Sequence, residues 1–106
     1  MPKKLSKKNL TAALRTLSVE WKLDDSATHL LLAISCRTYL SGFMLVTKIA
    51  IHAEVHKQYP VITLTEKKVK ISLTTNVVKG ITEADIKLAK QIDFILLSTK
   101  NKGTYR

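Results

Sequence analysis

The segment Val61-Ile-Thr-Leu-Thr-Glu-Lys-Lys-Val-Lys-Ile-Ser-Leu-Thr-Thr75 carries the clearest structural pattern in the chain. From position 69 to position 75, apolar and polar side chains alternate, which is typical of a strand with one buried face. A shorter strand is predicted at 61–65, and Glu66-Lys67-Lys68 predicts a turn between the two. Because short turns join antiparallel strands, the segment predicts a β-hairpin.

A second hairpin is predicted upstream. Apolar side chains alternate with charged ones from Val19 to Leu23, and Asp24-Asp25-Ser26 is a turn signal. The apolar run from Thr28 to Cys36 then predicts a strand that pairs back on the first. The two hairpins together predict four antiparallel strands.

Three helices are predicted around these hairpins. The first covers about 7–17, the second runs from Thr38 or Ser41 to about Lys57, and Thr82 opens the third. Pro60 ends the second helix, because proline cannot continue the helical hydrogen-bond ladder. In this helix we expect an apolar stripe to face the core, formed by Phe43, Val46, Ile49, Ala50 and Ala53.

The order helix, two strands, helix, two strands, helix predicts an α+β fold. We expect a two-layer sandwich in which three helices cover one face of a four-stranded antiparallel sheet. Its 106 residues fit one domain, which we place at 10–97 between a basic N-terminal segment, 1–9, and a basic C-terminal tail, 98–106. The other sheet face and the sheet edges are then open to partners.

The charge balance is strongly basic. Eighteen Lys and Arg face eight Asp and Glu, a formal net charge of +10, which favours polyanions but also serves solubility alone. Candidate polyanion contacts are Lys67, Lys68 and Lys70 in the second hairpin. Interleaved aromatic residues that stack on bases are absent, so contact with nucleic acid would fall on phosphates and depend on salt.

Other features limit the compartment and the chemistry. Cys36 is the single cysteine, which excludes an intramolecular disulfide and is expected in the core. No apolar stretch is long enough to span a membrane, and the N-terminus lacks the apolar segment of a secretory signal. We expect an intracellular protein without membrane contact; cytoplasm, nucleus and organelle matrix stay equally open.

A spaced set of residues resembles a known family. Glu54 is followed by three residues and then Gln58-Tyr59-Pro60; the later strand ends at Thr75-Asn76, and Gly80, Thr82 and Asp85 follow. This pattern resembles the pterin-4a-carbinolamine dehydratases, also called 4a-hydroxytetrahydrobiopterin dehydratases or dimerisation cofactors. That family has Glu, three residues, His-His-Pro, then Thr-His, Gly, Ser or Thr, and Asp. Agreement extends from about Leu10 to Leu96 and includes Trp21.

The resemblance implies the dehydration of a 4a-hydroxy tetrahydropterin to a quinonoid dihydropterin. Histidine suits the proton transfers in this reaction because its pKa lies near 6.5. At the three family histidine positions this chain has Gln58, Tyr59 and Asn76. Two amides do not titrate, and an unperturbed tyrosine has a pKa near 10. The chain is therefore predicted to be a degenerate member without dehydratase activity.

The remaining polar positions leave alternatives open. Asp85 fits both a helix cap and a family catalytic position, and His56 is a candidate substitute base close to Tyr59. Ile62 and Glu66 replace ring side chains that the family often has, so we do not expect pterin binding. His52 and His56 share a helix face, but no third ligand is apparent. We expect neither a metal nor a cofactor.

Three functions remain possible from the sequence. The resemblance implies dimers or tetramers and two precedents for protein binding: dimerisation of a homeodomain transcription factor and assembly of Rubisco. We expect a homodimer or homotetramer that binds a protein partner, through sheet edges or a helical face. The alternatives are an active dehydratase that uses Tyr59 and Asp85, and a basic subunit of a ribonucleoprotein.

Overall fold

The computed structural model describes residues 3–100, with side chains as far as Ser98. Its helices and strands follow the predicted order: α1 (Lys7–Leu14), β1 (Lys22–Leu23), β2 (Leu30–Ser35), α2 (Tyr39–His56), β3 (Val61–Thr65), β4 (Lys68–Leu73) and α3 (Glu83–Lys100). The last helix therefore enters the predicted tail 98–106, and the rest of that tail lies outside the described residues. No helix within 3–100 is long and apolar enough to cross a bilayer.

The sheet has the order β1-β2-β4-β3, and every neighbouring pair is antiparallel. The predicted hairpin 61–75 forms β3 and β4, which pair from Val61 opposite Ser72 to Thr65 opposite Lys68. The longest pairing joins β2 to β4, from Leu30 opposite Leu73 to Ser35 opposite Lys68. The predicted α+β class, with a four-stranded antiparallel sheet and helices on one face, is confirmed.

The core lies between the helices and one face of this sheet. Alternate residues of the two central strands are buried: Leu30, Leu32 and Ile34 in β2, and Val69, Ile71 and Leu73 in β4. Removing a side chain of this size from water contributes about 1.5–3 kcal/mol. In β4 the period-two pattern in the sequence therefore identifies both the strand and the face that the helices cover, whereas in β2 the alternation is seen only in the burial.

The face that helix α2 turns to the sheet coincides only in part with the predicted stripe. Ile49 and Ala53 are buried as expected, but Phe43 is 54% exposed and Ala50 is also exposed. The buried face is centred on Gly42, Leu45, Ile49 and Ala53. Gly42 permits a close approach, since a Cβ there would lie 2.9 Å from the Leu64 side chain. Val46 is partly buried against the core, so the prediction was wrong only for Phe43 and Ala50. It was wrong there because α2 is apolar on several sides, so periodicity does not select one.

The segment between α1 and β1 is held by a buried carboxylate of α3. Asp93 accepts hydrogen bonds from the Ser18 backbone N–H at 2.7 Å and from the Trp21 indole N–H at 2.8 Å. These bonds draw residues 18–21 out of the sheet, which explains why β1 covers only Lys22–Leu23 and not the predicted Val19–Leu23. Helix α1 likewise ends at Leu14, before the predicted Leu17.

Candidate functional site

The residues predicted for the site lie where α2, β4 and α3 converge. Helix α2 ends at Lys57, which adopts a left-handed conformation with φ of 52°. The backbone N–H of Gln58 donates back to the Ala53 carbonyl at 3.0 Å, so the chain reverses sharply before Pro60 and β3. This turn places the Gln58 side chain beside the end of β4 and the start of α3.

Gln58, Thr75, Thr82 and Asp85 form one hydrogen-bonded group, which we name the Gln58–Asp85 cluster. The Asp85 side chain is fully buried. Its carboxylate accepts from the Thr75 hydroxyl at 2.8 Å, from the Thr82 backbone N–H at 2.9 Å and from the Gln58 side-chain amide. The Gln58 amide also reaches the Thr75 hydroxyl oxygen at 3.1 Å. The donors around this buried carboxylate are thus supplied by three separate parts of the chain.

Thr82 and Asp85, which were expected to begin and cap α3, form only half of a capping box. Asp85 receives the Thr82 N–H, as a capping box requires. The Thr82 hydroxyl instead lies 2.8 Å from the Thr75 hydroxyl, so it joins the cluster and does not cap the helix. Asp85 therefore has two structural roles at once, as a helix cap and as the acceptor that holds Gln58.

Tyr59 and Glu54 make a separate surface pair. The Tyr59 hydroxyl donates to Glu54 Oε2 at 2.8 Å, and the tyrosine side chain is 64% exposed. The hydrogen bond to Glu54 raises the pKa of the Tyr59 phenol above its usual value near 10. At neutral pH the phenol therefore keeps its proton and acts as a hydrogen-bond donor.

The other predicted site residues lie outside the cluster's hydrogen bonds. Asn76 is exposed in the turn between Thr75 and Gly80, His56 is the exposed last residue of α2, and Pro60 is half-buried before β3. Within residues 3–100, no hydrogen bond joins Asn76, Tyr59 or His56 to the Gln58–Asp85 cluster. The structure thus unites Gln58, Thr75 and Asp85, while the remaining positions stand on the surface.

A metal site finds no support in the part of the chain that the structure describes. Among those residues there is no group of three or more His, Cys, Asp or Glu side chains placed to hold an ion. His52 and His56 have no such third partner there. The Cys36 thiol is buried, and burial raises its pKa, which keeps it protonated and unreactive.

The sequence did not predict the buried hydrogen bonds made by two polar residues, Thr82 and Asp93. Thr82 was expected only as a helix cap, and Asp93 was not singled out at all. Asp93 reaches partners more than 70 residues away in sequence, which no local pattern signals.

The predicted polyanion residues Lys67, Lys68 and Lys70 are exposed around the β3–β4 turn, at the opposite end of β4 from the Gln58–Asp85 cluster.

Comparison with known proteins identifies the family. The family model described as pterin 4 alpha carbinolamine dehydratase matches residues 3–95. A relative from Mycobacterium leprae with the provisional name pterin-4-alpha-carbinolamine dehydratase is 35% identical over 92 residues, which cover 87% of this chain and 95% of that protein. A relative of the same name from Aquifex aeolicus is 44% identical over 59 residues, covering 56% of this chain and 60% of that protein.

Solved structures agree with this result. A transcriptional coactivator/pterin dehydratase from Brucella melitensis superposes with a TM-score of 0.82 at 25% identity, covering 88% of this chain and 98% of that one. A pterin dehydratase-like protein identified as a RuBisCO assembly factor in the alpha-carboxysome has a TM-score of 0.60 at 20% identity, over 71% of this chain and 87% of that one, and shares the fold. By sequence and by fold, the chain belongs to the pterin 4 alpha carbinolamine dehydratase family.

Proposed function

We propose that this family member is a non-catalytic, self-associating factor that binds a protein partner. The proposal rests on the hydrogen bonds of Gln58, which occupies the first position where the family has histidine. Its amide is hydrogen-bonded to the buried Asp85 carboxylate and to Thr75. An amide in this position orients its neighbours but has no proton to exchange near neutral pH.

The chemistry at the other two positions supports the same conclusion. Dehydration of a carbinolamine requires a group that helps hydroxide to leave and another that takes a proton. The hydrogen bond to Glu54 raises the pKa of Tyr59, so the phenol is already protonated at neutral pH and cannot accept a proton. Asn76 is a second amide. Proton transfer of the kind that histidine provides is therefore not available from these three side chains.

The second line of support is the outer face of α2, which we define as Leu40, Phe43, Met44, Ile51 and Val55. All five side chains are exposed, between 52% and 73%. Leu40, Met44, Ile51 and Val55 recur at spacings of four, seven and four, so they form a stripe along one side of the helix. This stripe lies opposite the face that contacts the sheet. An exposed apolar stripe of this length is typical of a protein-binding surface.

The stripe is also suited to a second copy of the same helix. If two α2 helices pack antiparallel about a point between Thr47 and Lys48, Leu40 of one copy meets Val55 of the other, and Met44 meets Ile51. A two-fold interface needs this self-complementarity. The charged side chains beside the stripe, Lys48 and Glu54, have opposite signs, so the surface is nearly neutral in a chain of net charge +10. Self-association therefore avoids most of the like-charge repulsion.

Two structural relatives offer precedents for a protein partner. One is described as a transcriptional coactivator/pterin dehydratase and the other as a RuBisCO assembly factor. Fold alone does not transfer function, so the precedents support the class of activity and not the identity of a partner. In this chain we assign the outer face of α2 to self-association, and the precedents bear only on the class of partner that the assembled protein binds.

A dehydration assay tests the loss of catalysis. We expect the chain to leave the spontaneous rate of 4a-carbinolamine dehydration unchanged to within about twofold, because general acid–base catalysis of about 10²–10⁴-fold is missing. A family member with all three histidines, assayed at the same concentration, is the positive control. Turnover above the spontaneous rate that disappears in Tyr59→Phe would instead establish an active dehydratase, with Asp85 and His56 as its other candidate groups.

A further inference from the structure

The face of the sheet that the helices leave uncovered has an unusual composition. We define the open sheet face as the side chains on that side of the four strands: Lys22, Leu31, Ala33, Ser35, Val61, Thr63, Thr65, Lys68, Lys70 and Ser72. Three are lysines, four carry hydroxyl groups and none is acidic. The strand residues of this face are thus positively charged, and the acidic side chains nearest to it, Glu20 and Glu66, lie just outside the strands.

The strand register brings the basic and hydroxyl side chains together at one end of this face. Lys70 lies between Ala33 and Thr63, and Lys68 lies between Ser35 and Thr65 in the next row. Neighbouring strands are about 4.8 Å apart and successive rows about 6.8 Å apart, so these groups form a continuous patch. Beyond the strand ends, Arg37 and Lys67 add two positive charges and Glu66 offsets one of them, so the net charge there stays positive. We name Lys68, Lys70 and their hydroxyl neighbours the basic patch.

The composition of the basic patch favours phosphate over protein as the partner. Protein interfaces are enriched in aromatic residues, Met and Arg, and are depleted in Lys and Ser. Contacts with the nucleic-acid backbone, in contrast, come largely from Lys and Arg together with Ser and Thr hydroxyl groups. Lysine donates to phosphate oxygens as a flexible point charge, and a hydroxyl group beside it donates a second hydrogen bond.

We propose that the basic patch of the open sheet face binds the phosphate backbone of nucleic acid without sequence preference. No aromatic side chain lies on this face of the four described strands, so base stacking does not contribute. Binding then comes from neutralised phosphates and released counterions, and it weakens steeply with salt. The proposal does not depend on the non-catalytic role, since it uses the opposite side of the sheet from α2 and the Gln58–Asp85 cluster.

The test uses two double variants that remove equal charge. Lys68→Gln/Lys70→Gln alters the basic patch, and Lys87→Gln/Lys90→Gln alters exposed lysines of α3 as the matched control. Fluorescence anisotropy with a labelled 20-nucleotide single-stranded RNA and a 20-base-pair DNA duplex, between 50 and 200 mM salt, gives affinity and salt slope. We expect the patch variant to lose about tenfold in affinity and about 1.4–1.8 in slope, and the control to lose less than twofold.

Each outcome decides for or against the basic patch. Greater loss with RNA or with duplex identifies the preferred form of the same phosphate contact. Equal losses of affinity in both double variants would show that binding depends only on net charge and would overturn the proposal. Competition by polyglutamate as strong as that by RNA, or no binding of either probe at 50 mM salt, would also overturn it. Lys70→Gln alone, expected to lose about half the slope, replaces the double variant if that protein proves unstable.

Discussion

The outer face of α2 and the open sheet face are both exposed, yet they differ in almost every physical property. The first is a stripe of large apolar side chains with nearly balanced charge. The second is a flat surface of lysines and hydroxyl groups, with Leu31, Ala33 and Val61 toward one end. A two-layer fold leaves two surfaces free, and their different side-chain chemistry is the reason that we assign one to protein and the other to phosphate.

The difference arises from the way each layer is built. Helix α2 is apolar around much of its circumference, so covering the sheet with one side leaves a second apolar side in water. In β4, by contrast, each buried residue is followed by a polar one, so the side of this strand that the helices leave uncovered is polar. The two faces are on opposite sides of the molecule, so changes to one are expected to leave the other intact.

The largest effect is expected for Ile51→Glu in the outer face of α2. A buried charge at a two-fold contact occurs twice per interface, so we expect self-association to weaken by at least about 100-fold. Val61→Glu is the matched control, because Val61 is a β-branched residue of similar exposure, 68% against 60%, on the open sheet face. Sedimentation velocity over a concentration series measures both. If Val61→Glu dissociates the protein and Ile51→Glu does not, the two faces have been assigned the wrong way round.

An intermediate effect is expected for Asp85→Ala, which removes the acceptor at the centre of the Gln58–Asp85 cluster. The Gln58 amide, the Thr75 hydroxyl and the Thr82 N–H then lose their buried partner, and we expect a loss of about 2–4 kcal/mol in the free energy of unfolding. Urea denaturation measures this loss, with the exposed Asp25→Ala as control. Because the cluster lies at the opposite end of β4 from Lys68, the affinity that we propose for nucleic acid should remain unchanged in the folded variant. A loss below about 0.5 kcal/mol would contradict the structural role of Asp85.

The smallest effect is expected at the β1–β2 turn, beside the open sheet face. Burial acts to raise the pKa of Asp24, but the backbone N–H groups of His29 and Thr28 and the Ser26 hydroxyl lower it from 3.8 to about 2. A depressed folded-state pKa contributes stability that is complete above pH 3.8 and is lost as the pH falls through about 2. The unfolding midpoint of Asp24→Asn should therefore lie below that of the wild type at pH 7.

The decisive measurement is how the difference in unfolding midpoint between the wild type and Asp24→Asn changes with pH. Urea midpoints of the wild type and Asp24→Asn should converge between pH 4 and pH 2, where Asp24 gains its proton. Asp25→Asn, in the same turn, controls for the loss of one negative charge. A gap that stays constant down to pH 2 would show that Asp24 acts through shape and not through its carboxylate.

Much of the fold followed from local patterns in the sequence. Local signals specify the helices and strands and their order along the chain, because each signal acts over a few residues. Examples are the alternation from Val69 to Leu73, the turn residues before it and Pro60 after α2. The buried face of α2 was predicted only in part, because an apolar helix satisfies several stripes equally well. Contact between Gly42 and the Leu64 side chain selects the buried one, and this contact is tertiary.

The candidate site was predictable in its residues but not in its connections. The resemblance to the dehydratase family identified Gln58, Thr75 and Asp85, and the structure joins them through hydrogen bonds between positions up to 27 residues apart. The Tyr59–Glu54 pair was not expected, because it depends on the left-handed turn at Lys57 that reverses the chain. Side-chain partners across such a turn have no signature in composition or periodicity.

The bond between Trp21 and Asp93 gives the protein an intrinsic optical reporter. Trp21 is the single indole among the 106 residues, and its N–H is fixed to a buried carboxylate on α3. Its emission therefore reads whether α3 remains docked on the rest of the domain. Dissociation of copies through α2 should leave the emission maximum in place, whereas unfolding should shift it to the red. Tryptophan fluorescence of an unlabelled sample thus distinguishes dissociation of the copies from unfolding of the chain.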